Sequence, residues 1–308
     1  MKRTRALPWV IDILDDGLRL YRRYWSSFAL ATAALIVPIS LLSFLVNALV
    51  INQLGSGWGF VGSLVVALLG IPFSSYMVAV LSRMAAQAAS GRTPSLRSAL
   101  RMSLIRVLGM SCYAVVFTLV ASLCFGVGGV ILLCGTLAIT FRLVRQSFFG
   151  LSLSPFFALA GGLALFAYVL LFSAVAMSTI YAVQAFAIDT AGFGDSITRL
   201  NDFLFYRTRR NLLCFIIGGA IFATMLTAYT GTISFGVAQL AQSFFGQPLF
   251  FQGITGQAIL TVTGAISAVI LMPPMPIWMA LLYLRIKVER EGAALEQRIT
   301  AWTTTSPH

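Results

Sequence analysis

Charge is what this 308-residue sequence has least of. Only 10% of its residues are Asp, Glu, Lys or Arg, against roughly 25% in a soluble domain. So little charge cannot clothe a water-facing surface. With 59% hydrophobic residues as well, the chain excludes a soluble globular protein and implies lipid over much of its exterior. Histidine is nearly absent, with His308, the last residue, as its one example. The nine acids all fall in the short segments between apolar runs. A phosphodiesterase or comparable hydrolase gathers acids and histidines around a metal and a phosphate. There is also no Walker loop, no GxSxG elbow and no paired-carboxylate constellation, and the serines within the runs have no base. Asp12, Asp15 and Asp16 stand close to Arg19, Arg22 and Arg23, which neutralise them. The expectation is a protein that is not an enzyme, with no cofactor and no metal site.

Cysteine is also scarce. Cys112, Cys124, Cys134 and Cys214 lie in apolar segments with no CxxC pair, so they read as small hydrophobes rather than as disulfide or metal ligands. The N-terminal stretch "MKRTRALPWVIDILDDGLRLYRR" has no apolar core ahead of its acids and arginines, unlike a cleavable signal peptide.

What the chain does have is arginine: 19 Arg and 2 Lys give a net charge of +12. The basic residues sit between apolar runs, the pattern that the positive-inside rule gives to cytoplasmic loops. This argues against a nucleic-acid partner.

The fold class is therefore all-α, a polytopic transmembrane helical bundle with amphipathic interfacial helices on the cytoplasmic side. In residues 1–25, Ile11, Leu14, Leu18, Tyr21 and Trp25 recur at helical spacing and predict an amphipathic helix at the membrane surface. Acids precede bases along it, which suits the helix dipole. A first hairpin occupies 26–90, with an uncharged connector "NQLGSGWG". A middle section covers 91–190, a cytoplasmic amphipathic segment 191–211, a last hairpin 212–287 and a cytoplasmic tail 288–308. Both termini on one side require an even number of spans. About 20 residues cross the hydrocarbon core, so residues 152–188 fit either one long helix, giving six spans, or a tight hairpin, giving eight. Arg142 and Arg145 favour eight. The absence of a turn residue in "FAYVLLFSAVAMSTIYAVQAF" favours six, with 127–149 re-entrant or interfacial.

A repeat is visible in the prolines. "IPFSSYMVAVLSR" (71–83) aligns without gaps to "PPMPIWMALLYLR" (273–285), pairing Pro72 with Pro274, Tyr76 with Trp278, Met77 with Met279 and Arg83 with Arg285. Proline removes a backbone donor and clashes with the carbonyl four residues back. Pro72, Pro273, Pro274 and Pro276 are thus candidate helix breaks and cavity borders, expected at one depth near the bilayer midplane. Paired breaks of this kind point to a site in transporter-like folds, while proline is in any case commoner in membrane helices. Gln184 and Asp189 are expected to bond neighbouring helices or cap a helix end.

The motifs "IDILDDGLRLYRRYW", "GFGDSITRLNDFLFYRTRRN" and "LRIKVEREGAALE" resemble a bacterial family, the glycerophosphoryl diester phosphodiesterase membrane domain. The resemblance covers both ends and the 190–212 loop, and covers 126–188 poorly. Tyr283 stands where relatives often carry an acid. The resemblance implies a bacterial inner-membrane, multi-pass anchor or accessory protein with no catalysis of its own.

Three arginine groups remain as candidate lipid head-group contacts: Arg19, Arg22 and Arg23; Arg97, Arg101 and Arg106; Arg207, Arg209 and Arg210. Basic residues near an anionic leaflet contribute about 1 kcal/mol each. The expected function is a non-catalytic accessory or scaffold that contacts anionic phospholipid at the cytoplasmic face, with a possible membrane-protein partner. The alternative is a transporter or flippase of a lipidic or apolar substrate, with a cavity between proline-broken helices.

Overall fold

The computed structural model describes residues 6–46, 56–123, 154–189, 192–245 and 254–305. Among the described residues there is no strand, and the chain runs through α1 (Ala6–Arg23), α2 (Trp25–Val46), α3 (Ser56–Ala89), a single turn α4 (Leu96–Ala99), α5 (Leu104–Leu123), α6 (Ser154–Ile188), α7 (Phe193–Phe205), α8 (Thr208–Phe245), α9 (Ile254–Leu271) and α10 (Pro274–Thr305). Among the described residues, six stretches are long and apolar enough to cross a membrane: Trp25–Val46, Leu68–Ala89, Leu104–Leu123, Leu170–Ile188, Thr208–Tyr229 and Thr261–Gly292. The chain is a multi-pass, all-α membrane protein. α6 is unbroken from Ser154 to Ile188, so that stretch is the single long helix and not a hairpin. The 127–149 segment, Asn47 and His308 lie outside the described residues.

Two spans form the centre. In Leu170–Ile188 and Thr261–Gly292, 67% and 61% of the apolar window is buried within the protein, against 22% for Trp25–Val46 and 28% for Leu104–Leu123. The peripheral helices leave Leu30, Leu41, Val116, Leu119 and Leu123 exposed, the outward apolar surface that a lipid environment covers. α6 packs along α8, α3 and α10. A Cβ at Gly219 of α8 would stand 3.0 Å from the Ser173 carbonyl carbon, so this crossing requires a residue without a side chain, as close helix pairs in membranes generally do. α5 joins α6 through Met110 and Ala114 beside Val183 and Phe186 and through a 3.1 Å hydroxyl bond between Thr118 and Thr179.

α1 turns its apolar face to protein. Val10, Ile13, Leu14, Gly17 and Tyr21 are buried, against α8 and α10. The buried stripe is rotated from the spacing read in the sequence, and Ile11 and Trp25 remain 51% and 42% exposed. The hydrogen-bond ladder continues from α1 into α2 through Tyr24, with Tyr24 N donating to Leu20 O and Phe28 N to Tyr24 O. Gly17 is small because Trp278 lies on it: a Cβ there would come within 2.4 Å of Trp278 Cδ1.

The prolines behave differently from one another. Pro72 lies inside the continuous α3 and Pro38 inside α2, each withholding a single donor. Pro273 and Pro274 are adjacent and Pro276 follows, so donors are missing for Val269, Ile270 and Met272, and the helix ends at Leu271 and restarts at Pro274. The Ile270 carbonyl is capped by Tyr21, whose ring is 5.2 Å from Trp25 at the start of α2, and Pro72 shares a groove with Pro38.

Candidate functional site at the charged end

The described ionic groups gather at one end of the bundle because the sequence concentrates its few charges where α1, α3, α6, α7, α8 and α10 start or stop. α10 holds them together. Arg285 reaches Asp16 on α1. Arg290 pairs with Asp202 on α7 at 3.0 Å, and Glu289 lies 3.2 Å from Arg207 and 3.9 Å from Arg210. Arg290 also stacks over Phe203 and Tyr206, and Arg210 over Trp9.

Asp189, directly after α6, is the node of this layer. Its side chain is 6% exposed and accepts from Tyr283 Oη at 2.7 Å, Lys287 Nζ at 2.7 Å and Arg199 Nη1 at 3.2 Å. Burial alone would raise its pKa, but these three donors outweigh burial and hold the carboxyl below its ordinary value. Asp189 bonds two neighbouring helices, as expected. Gln184 does not: its Nε2 donates back to Ile180 O within α6, and its Oε1 is buried with no partner among the described residues.

The aligned repeats make matching contacts. Tyr76 Oη donates to Leu100 O at 2.7 Å, and Trp278 Nε1 donates to Leu14 O at 3.0 Å. Arg83 Nη1 reaches Arg101 O, and Arg285 reaches Asp16. Each proline-bearing helix thus grips an arginine-bearing amphipathic segment with an aromatic donor and an arginine.

The candidate arginines divide by what they face. Arg19 forms an exposed pair with Asp15 at 2.7 Å, the kind worth little in stability. Arg207 and Arg210 face Glu289, and Arg207 holds a left-handed backbone (φ 72°) at the turn between α7 and α8. Arg22, Arg23, Arg97, Arg101 and Arg209 are exposed, and no carboxylate among the described residues pairs with them. Arg23 lies over the Tyr24 ring. Arg106 lies close enough to Arg83 for the two charges to act on each other.

Two grooves of about 580 Å³ flank α2. One, against α9, is lined by side chains such as Val37, Leu41, Val262 and Ile266. The other, against α3 and α5, includes Pro38, Leu69, Pro72, Phe73 and Leu104. Pro273, Pro274 and Pro276 line neither, and they are buried beside Ile277 and Trp278, both 0% exposed.

Sequence reasoning missed Arg83, Tyr283, Lys287 and Arg199 as members of this layer. The pairing of Arg83 with Arg285 was the one signal for the first; Tyr283 and Lys287 become visible only once 94 and 98 residues of separation are closed, and Arg199, 10 residues from Asp189, only once α7 folds back on the end of α6. Among the described residues, no three His, Cys, Asp or Glu side chains converge as a metal site would need. No family model matches this chain, and no curated protein or solved structure matches it.

Proposed function

We propose that this chain is a non-catalytic accessory or scaffold protein of a bacterial inner membrane, with its charged end and both termini cytoplasmic and in contact with anionic phospholipid. The observation that carries the reading is the sorting of the arginines. Those needed to hold α1, α7, α8 and α10 together meet Asp16, Asp189, Asp202 or Glu289. Arg22, Arg23, Arg97, Arg101 and Arg209 are exposed and meet no carboxylate among the described residues, leaving positive charge for the rim where lipid phosphates lie. The burial of Pro273, Pro274, Pro276 and Trp278 supports a packed scaffold over a carrier with a central polar cavity. The resemblance of both ends to the phosphodiesterase membrane-domain family points the same way.

The test is to replace Arg97, Arg101 and Arg209 together with Gln and quantify anionic lipid that copurifies. The reading expects a several-fold loss at unchanged thermal stability, and unchanged lipid content would contradict it.

The second reading, a carrier of lipidic or apolar substrate, is favoured by the grooves on either side of α2, one of them bordered by Pro38 and Pro72. Energy- or gradient-dependent movement of a labelled lipid across vesicles containing the protein would select it over the scaffold reading.

A further inference from the structure

A smaller, polar pocket opens at the charged end between α3, α4 and the end of α6. Its volume is about 300 Å³, and it is lined by Arg83, Ala86, Gln87, Ser90, Ser98 and Ile188. Arg83 is half-buried and uses two of its five N–H groups on carbonyls: Nε on Ala187 O at 2.7 Å and Nη1 on Arg101 O at 2.9 Å. No carboxylate among the described residues pairs with it. Three guanidinium N–H donors are left, on a side chain that lines the cavity. Gln87 is held in place from both sides, its Oε1 accepting from Ser95 N at 3.0 Å and its Nε2 donating to Ser98 Oγ at 2.8 Å. The segment 83–106 contains five arginines and no acid, and Arg106 lies close enough to Arg83 for the two charges to act on each other. A fixed, partly desolvated guanidinium with spare coplanar donors, in a cavity walled by the Gln87 amide and by the Ser90 and Ser98 hydroxyls, which donate to the Gln87 and Ser95 carbonyls, is suited to a tetrahedral oxyanion.

We propose that this pocket binds a phosphate group through Arg83, with Gln87, Ser90 and Ser98 shaping the site, the phosphate being either a lipid head group or free inorganic phosphate. The proposal rests on the reading of the charged end as an anion-facing surface, and names the position where one anion is held specifically. Arg83 also caps the carbonyl end of α6, so its own replacement can loosen the fold. Gln87→Glu keeps the acceptor for Ser95 N and adds a negative charge to the wall of the pocket that Arg83 lines, so a phosphate there is repelled.

The experiment measures thermal midpoints of wild type and Gln87→Glu under two titrations. One adds sodium phosphate against sodium chloride at matched ionic strength. The other reconstitutes the protein in phosphatidylcholine vesicles with and without phosphatidylglycerol. At ligand about ten times Kd, the wild-type midpoint is expected to rise by roughly 2 °C and that of Gln87→Glu to stay unchanged. A rise with inorganic phosphate identifies the free anion, and a rise only with phosphatidylglycerol identifies the head group. No rise in wild type, or an equal rise in both proteins, overturns the pocket. An equal phosphatidylglycerol effect in both that disappears in the Arg97, Arg101 and Arg209 triple variant overturns the pocket and leaves the surface reading standing. A phosphate effect confined to wild type, with no phosphatidylglycerol effect, keeps the pocket and removes the lipid reading.

Discussion

The Tyr21 hydroxyl donates a 2.7 Å hydrogen bond to the Ile270 carbonyl, 249 residues away. Ile270 stands four residues before Pro274, so this carbonyl is one that the proline leaves without a helical donor. α1 supplies from outside what the broken helix cannot supply itself. Tyr21→Phe removes that donor and leaves a half-buried acceptor unmet, at a cost of about 1–2 kcal/mol. Pro274→Ala returns a backbone N–H to the same carbonyl. The cost of Tyr21→Phe is therefore expected to shrink in the Pro274→Ala background, measured as a double-mutant cycle of unfolding free energies. Strict additivity would count against the capping role.

Gly17 and Trp278 give a steric counterpart. A Cβ at Gly17 would lie 2.4 Å from Trp278 Cδ1 and 2.9 Å from Nε1, and the indole that must give way holds the Leu14 carbonyl. Gly17→Ala is expected to cost about 1–3 kcal/mol as overpacking, seen as a lower thermal midpoint. Gly292→Ala, with nothing within 4 Å of its Cβ, serves as the tolerated control. Equal midpoints for the two variants would contradict the packing described.

Asp189 makes stability pH-dependent in a defined direction. Its carboxyl is held below its ordinary value by Lys287, Tyr283 and Arg199, which outweigh burial. A group with a depressed folded-state pKa contributes stability above its unfolded value of about 4 and loses it as pH falls through the folded-state value. Wild type is thus expected to lose thermal stability as pH drops below about 4. Asp189→Asn removes this contribution, costing about 2 kcal/mol at neutral pH as charged hydrogen bonds are lost, and flattens the acid limb. Parallel acid limbs in wild type and variant would contradict Asp189 as the node.

The paired and outward arginines should separate by phenotype. Arg207→Gln with Arg210→Gln abandons Glu289, so it is expected to lower the thermal midpoint while leaving copurified lipid nearly unchanged. Arg97→Gln with Arg101→Gln is expected to do the reverse. Lipid loss from the first pair at full stability would show that the ion pairs do not decide which arginines face the membrane.

Much of the architecture was legible because hydropathy and charge placement act locally. Within the described residues, the runs at 26–51, 60–82 and 107–125 and the uninterrupted "FAYVLLFSAVAMSTIYAVQAF" each overlap a helix long and apolar enough to cross a membrane: Trp25–Val46, Leu68–Ala89, Leu104–Leu123 and Leu170–Ile188. Details set by distant partners were not legible. The stripe of α1 turned toward Val10 and Ile13 because α8 and α10 pack on it, a choice that its own periodicity leaves open. The prolines looked alike in sequence, yet Pro72 stays within a helix while Pro273 and Pro274, adjacent, end one. Asp189 showed as a helix-end acid, but its partners Tyr283 and Lys287 lie 94 and 98 residues further on. Arg83 looked like one basic residue among many until the fold set its guanidinium against the carbonyls of Ala187 and Arg101.

Lipid analysis of the purified protein tests the central claim most directly. The protein is extracted from membrane of known composition, and bound phospholipid is quantified by class for wild type and for the Arg97, Arg101 and Arg209 to Gln variant. The account expects anionic phospholipid to be enriched several-fold over its bulk share in wild type, and to fall to the bulk share in the variant. Anionic lipid at its bulk share in both proteins would contradict it.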